Sequence, residues 1–133
     1  MKIIELFGAA GCGKTFMMNY IVKINENSIS QYDFPVYVIF NSRKAILTLK
    51  KFHNLYKLIR IVALSYILLC YSRRVSNNYE MLIKNYKQLL ISSTISKEAI
   101  KARLKMLHRS LVYYDLALNN SNQEYLVMDE GFI

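Results

Sequence analysis

Gly8-Ala9-Ala10-Gly11-Cys12-Gly13-Lys14-Thr15 satisfies the spacing G-x-x-x-x-G-K-[ST] at every fixed position. Its flanks read as the context such a loop requires. Lys2 to Phe7 (KIIELF) is a short apolar run that ends at Gly8, which suits a buried parallel strand. Beyond Thr15, residues Met17, Tyr20, Ile21 and Ile24 recur at helical spacing, so a helix leaves the loop. Between strand and helix, glycines let the backbone curl until successive N–H groups face inward as an anion nest. The helix adds the positive end of its dipole. A glycine-rich turn that only joins the two elements is the plainer reading, and both flanks argue against it.

The motif is a P-loop (Walker A), and it assigns roles. Gly8 through Thr15 would wrap the phosphates of a nucleoside triphosphate, with Lys14 bridging the β- and γ-phosphates and the Thr15 hydroxyl ligating magnesium. A second signal lies at the other end of the chain. Glu124 to Met128 (EYLVM) reads as a buried strand delivering Asp129-Glu130-Gly131, the Walker B pattern of an apolar strand ending in a carboxylate. In a parallel sheet both loops emerge at one edge, so Asp129 and Thr15 are expected to share the metal. Glu130 has two readings: a base that orients or deprotonates an attacking water, or a solvated carboxylate.

Pro35 to Phe40 (PVYVIF) is predicted as the second strand, with Pro35 acceptable as its first residue. From Arg43 the pattern turns helical, with Ala45, Ile46, Leu49 and Phe52 on one face. Breaks are expected at Ser76-Asn77-Asn78 and at Ser92-Ser93-Thr94. After the second, Ile100, Leu104, Leu107, Leu111, Tyr114 and Leu118 hold one stripe until Asn119 to Asn122 ends it. The fold expected is α/β: a P-loop NTPase-like parallel sheet of three strands, with a long helical segment between strands 2 and 3. Residues 1–133 read as one domain that stops soon after Gly131, so the remaining sheet edge is expected to be covered by additional chain or by a partner.

A net charge of +9 favours an anionic partner, such as nucleotide, nucleic acid or another polyanion. Lys97, Lys101, Lys105 and Arg109 recur every four residues as a basic stripe, either a solvated helix face or a groove for a polyanion. Only 4 glycines and 1 proline in the chain fit long helices with few tight turns. Cys12 and Cys70 match no metal or disulfide pattern, which with the absence of a recognisable leader points to a cytoplasmic setting. Cys12 reads as a small residue that fits the loop, or as a thiol activated by the helix terminus. His53 and His108 have no partner at ligand spacing. Ile61 to Tyr71 (IVALSYILLCY), flanked by Arg60, Arg73 and Arg74, is too short for a bilayer and is expected to be a buried helix, with an interfacial helix with basic ends as the alternative, rather than an integral membrane segment.

Met1 to Tyr20 and Tyr125 to Ile133 together resemble P-loop NTPases. More finely, IIELFGAAGCGKT and YLVMDEGFI resemble kinase-like, AAA-labelled ATP-binding proteins distantly similar to thymidylate kinase. The resemblance implies ATP and magnesium as ligands, with phosphate binding at Gly8, Gly11, Gly13 and Lys14 and metal binding at Thr15 and Asp129. It implies an ATPase (hydrolase) or a phosphotransferase with its acceptor site in the helical middle. Such proteins continue beyond the DEG segment with elements that close over the phosphates. A second resemblance is to superfamily 1 DNA helicases: Val36 to Phe52 looks like their strand and helix after the P-loop, although position 132 is Phe and no Gln follows Glu130. A nucleotide-binding regulatory module without turnover is the third reading.

Overall fold

The computed structural model describes residues 1–8, 11–122 and 124–129. Lys2–Glu5 forms strand β1, and the helix after the glycine loop is α1, Lys14–Ile24. Ser28–Ser30 is β2, and Tyr125–Met128 is β3. The three strands form one parallel sheet in the order β1-β3-β2, with Ile3 and Ile29 both opposite Leu126. β3 is apolar throughout its inner positions because it is paired on both edges and covered on both faces. Leu126, Val127 and Met128 are all buried. The described residues are therefore α/β and mostly helical, with a small three-stranded sheet.

Pro35 to Phe40 is not a strand. It belongs to helix α2, Phe34–Phe40, and the second strand is Ser28–Ser30 instead. Two physical facts outweigh the β-propensity of VYVIF. Pro35 sits in the first helical turn, where its missing N–H costs nothing. Phe34 and Tyr37, three residues apart and so on one helical face, are both buried in the core that joins the sheet to the helices. The helix ends where Asn41 turns left-handed (φ 47°) and donates its N–H to the Tyr37 carbonyl. Ser28-Ile29-Ser30 gave no periodic signal because it is short and two-thirds polar, yet all three residues are buried.

The helical segment comprises α3 (Arg43–Lys50), α4 (His53–Asn78), α5 (Glu80–Ile91) and α6 (Lys97–Leu118). Ser42 and Ser96 cap α3 and α6, each accepting the N–H three residues on at 3.3 and 3.2 Å. One core cluster joins the sheet to the helices through Phe34, Tyr37, Tyr56, Tyr113, Leu126 and Met128. Val127 points away from it by strand alternation, towards the face on which α1 packs with its buried Met18. A second cluster of Ile67, Val75, Leu107, Leu111 and Val112 clamps α4 to α6. The stripe expected on α6 is only partly buried. Leu107 and Leu111 lie inside, whereas Leu118 is exposed and Val112, Tyr113 and Ala117 take buried places outside the stripe.

The expectation of a buried helix at Ile61 to Tyr71 does not hold. Ala63 and Ile67 are buried, but Ile61, Val62 and Tyr66 are more than half exposed and Leu69 is 82% exposed. The helix is also longer than its apolar run, 26 residues, because helical geometry continues through Ser76-Asn77-Asn78 to Tyr79. By length and composition α4 would suffice to cross a membrane, and only 17% of its most apolar 18-residue window is buried.

The Phe34 ring lies fully buried, edge-on to Tyr113 with centroids 5.2 Å apart. Truncating such a ring costs about 3–5 kcal/mol, so Phe34→Ala should lower the urea-unfolding free energy by about that much. A loss below about 1 kcal/mol would show that α2 is not a core helix.

Candidate functional site

The site begins with strand pairing. Past the end of β1, Leu6 donates its N–H to the Met128 carbonyl at 2.8 Å, and past β2, Gln31 donates to the Val127 carbonyl at 2.9 Å. The carboxyl ends of all three strands thus lie side by side. The residues that follow them, from Phe7, Gln31 and Asp129, emerge at one edge of the sheet.

After β1 the chain enters the glycine loop. Gly8, Gly11 and Gly13 have φ of 149°, 80° and 85°, a backbone conformation that side chains disfavour. At Gly8 space is also closed, since an added Cβ would come within 2.6 Å of Cys12 Sγ. Gly13 is the left-handed N-cap of α1 and offers no side chain to its first turn, which also contains no acidic residue. The positive end of α1 is therefore left to an incoming anion. Lys14 folds back over the loop and donates from Nζ to the Gly8 carbonyl at 2.6 Å. Cys12 is exposed. Ala9 and Ala10 lie outside the described residues.

Asp129 is buried at the end of β3, and three donors converge on it. Thr15 Oγ1 donates to Oδ2 at 2.7 Å, Tyr32 OH donates to Oδ2 at 3.2 Å, and Gln31 Nε2 donates to Oδ1. The structure thus brings Thr15 to Asp129, and Lys14 to Gly8. Glu130 lies outside the described residues. Gln31 and Tyr32 were not foreseen, because assigning the second strand to Pro35–Phe40 hid them. A strand at Ser28–Ser30 would have placed the residues after it at this same edge.

Asp33, next in the chain, is buried and paired with Lys50 of α3 at 2.6 Å, and it accepts the hydroxyl of Tyr56 from α4. Burial and that hydrogen bond push the Tyr56 phenol well above its ordinary pKa, so it stays a donor. Glu5, at the end of β1, is half-buried, and desolvation raises its carboxyl above the usual range. Of the other residues singled out, Lys97, Lys101 and Lys105 are solvent-exposed, which is the solvated-face reading, while Arg109 is half-buried. His108 shares a 2.9 Å hydrogen bond with Ser72 and links α6 to α4, and His53 is exposed at the start of α4.

Chemically, one hydroxyl and one carboxylate side by side are oxygen donors of the kind a hard cation takes. Among the described residues no three His, Cys, Asp or Glu side chains cluster as a protein-only metal site. Magnesium bound with a nucleotide does not need one, because phosphate and water fill most of its octahedron. The donor set of Thr15 and Asp129 fits that ion.

In Asp129→Asn an amide NH2 replaces one acceptor oxygen and faces a donor. A buried donor left without an acceptor costs about 1–3 kcal/mol, and the urea-unfolding free energy should fall by that amount. An unchanged unfolding curve would show that the three donors do not converge on this carboxylate. Comparison with known proteins found no matching protein-family model, no matching curated protein and no matching solved structure.

Proposed function

We propose that this chain is a P-loop nucleotide-binding protein that holds ATP and magnesium at the Gly8–Thr15 loop and acts as an ATPase or a kinase-like phosphotransferase. The observation that carries the reading is the 2.7 Å hydrogen bond from Thr15 to the buried Asp129. That bond joins two motifs far apart in sequence, which supports reading them as one metal-bearing phosphate site.

The chain's own residues have defined work in that reading. The loop's N–H groups and the start of α1 take the phosphate oxygens. Lys14 exchanges the neutral Gly8 carbonyl for the β- and γ-phosphates, a stronger charge-assisted contact. The Thr15 hydroxyl has one proton and two lone pairs. By taking the proton, Asp129 turns those lone pairs outward toward a cation, as an outer-shell carboxylate orients a ligand. Bound magnesium would neutralise charge building on the phosphate oxygens during transfer. Gln31 and Tyr32 hold the Asp129 carboxylate in place. Glu130, next in sequence, is the residue proposed to orient water if the reaction is hydrolysis.

The helicase alternative loses its structural counterpart, because the segment that resembles the strand of those motors is helix α2. No observation favours a non-catalytic module over the enzyme.

Calorimetric titration of ATP with magnesium tests the reading. Lys14→Ala removes contacts to two phosphates and should weaken binding by roughly 10- to 100-fold. Wild-type affinity in that variant would refute the P-loop assignment. Glu130→Gln should retain ATP affinity and lose hydrolysis, whereas hydrolysis at the wild-type rate would remove Glu130 from the mechanism.

A further inference from the structure

Beside the Asp129 cluster lies a cavity of about 210 Å3, walled by the start of α2, by α4 and by α6. Its lining includes Gln31 and Tyr32, the two residues that also donate to Asp129, so it shares a wall with the nucleotide site. The lining also includes Arg60 of α4 and Arg109 of α6, both half-buried. Pro35, Leu64 and Tyr113 complete an apolar floor.

The charge in this cavity is unbalanced. The two ion pairs among the described residues are Lys50–Asp33 and Arg74–Asp115, and neither involves Arg60 or Arg109. Arg60 instead stands 5.7 Å from the centre of the Tyr32 ring. Neither half-buried guanidinium has a carboxylate within ion-pair distance among the described residues, and a bound dianion would supply that charge partner. Burial pushes the pKa of the Tyr113 phenol up to about 12, while Arg109 and Arg60 pull it back, so it stays a neutral donor.

We propose that this cavity is a binding site for a phosphomonoester, held between the forks of Arg60 and Arg109 next to the nucleotide. Guanidinium forks match phosphate oxygens in pairs, and an apolar floor suits the organic part of a small ester. The volume lies below the range of typical drug-sized pockets, about 300–1,000 Å3, so the site takes a compact ester or the phosphorylated end of a larger one. Its role as the second-substrate site rests on the nucleotide reading above. The anion site itself stands on the cavity and its arginines.

Phenyl phosphate is the probe, titrated calorimetrically into the full chain. Wild type and Lys14→Ala should bind it alike, because the P-loop is not the site. Arg60→Gln/Arg109→Gln should bind it roughly tenfold or more weakly, while Arg60→Lys, which keeps the charge and loses the fork, should lie between. Should the double variant fail to give a native circular dichroism spectrum, the single Arg60→Lys comparison decides. Three results would overturn the proposal: no binding to wild type, wild-type affinity in the arginine variants, or loss of binding in Lys14→Ala. ATP titrated in parallel separates the two readings. Phenyl phosphate binding without ATP binding would remove the nucleotide assignment and leave the arginine site.

Discussion

The parallel pairing of β1 with β3 is the constraint on which the rest of the site depends. Strands in register lie about 4.8 Å apart, so whatever follows one strand is delivered beside whatever follows its neighbour. Here that brings the glycine loop and Asp129 to one edge, and the same rule acting through β2 adds Gln31 and Tyr32. A buried carboxylate is costly unless several donors converge on it. The sheet supplies them from two separate segments of the chain, Thr15 after β1 and Gln31 with Tyr32 after β2.

The sequence disclosed those parts of the structure whose residues carry their reason locally. A left-handed φ at Gly8 and Gly13 requires glycine, and the apolar run of Tyr125–Met128 requires burial on both faces, so each could be read in place. Helix α6 was legible for the same reason, from the spacing of its leucines. The reading failed where tertiary contact decided the outcome. VYVIF has the composition of a strand, yet packing of Phe34 and Tyr37 against Tyr56 and Tyr113 makes it helical. Ser28–Ser30 has no strand signature of its own and becomes a strand only because β3 offers it an open edge.

The error displaced one strand by a few residues and so hid half of the site. Asp129 was found because it ends a legible strand. Gln31 and Tyr32 were missed because theirs was illegible. Arg109 fell between the two cases. It was seen as the fourth member of a basic stripe, but three members face solvent and the fourth turns into a cavity. Periodicity places a residue on a helix face and says nothing about what the neighbouring helix removes from water.

The bonds of Asp33 have a wider meaning. This carboxylate fastens the β2–α2 corner to α3 through Lys50 and to α4 through Tyr56. The two residues just before it carry the hydrogen bonds that hold Asp129. The corner is thus a tie-bar between the helical half of the molecule and the sheet edge. A displacement of α3 or α4 of an ångström would be transmitted through two residues of backbone to the carboxylate beside the loop. The helices would then act as a tensioning frame that sets how firmly the edge is held.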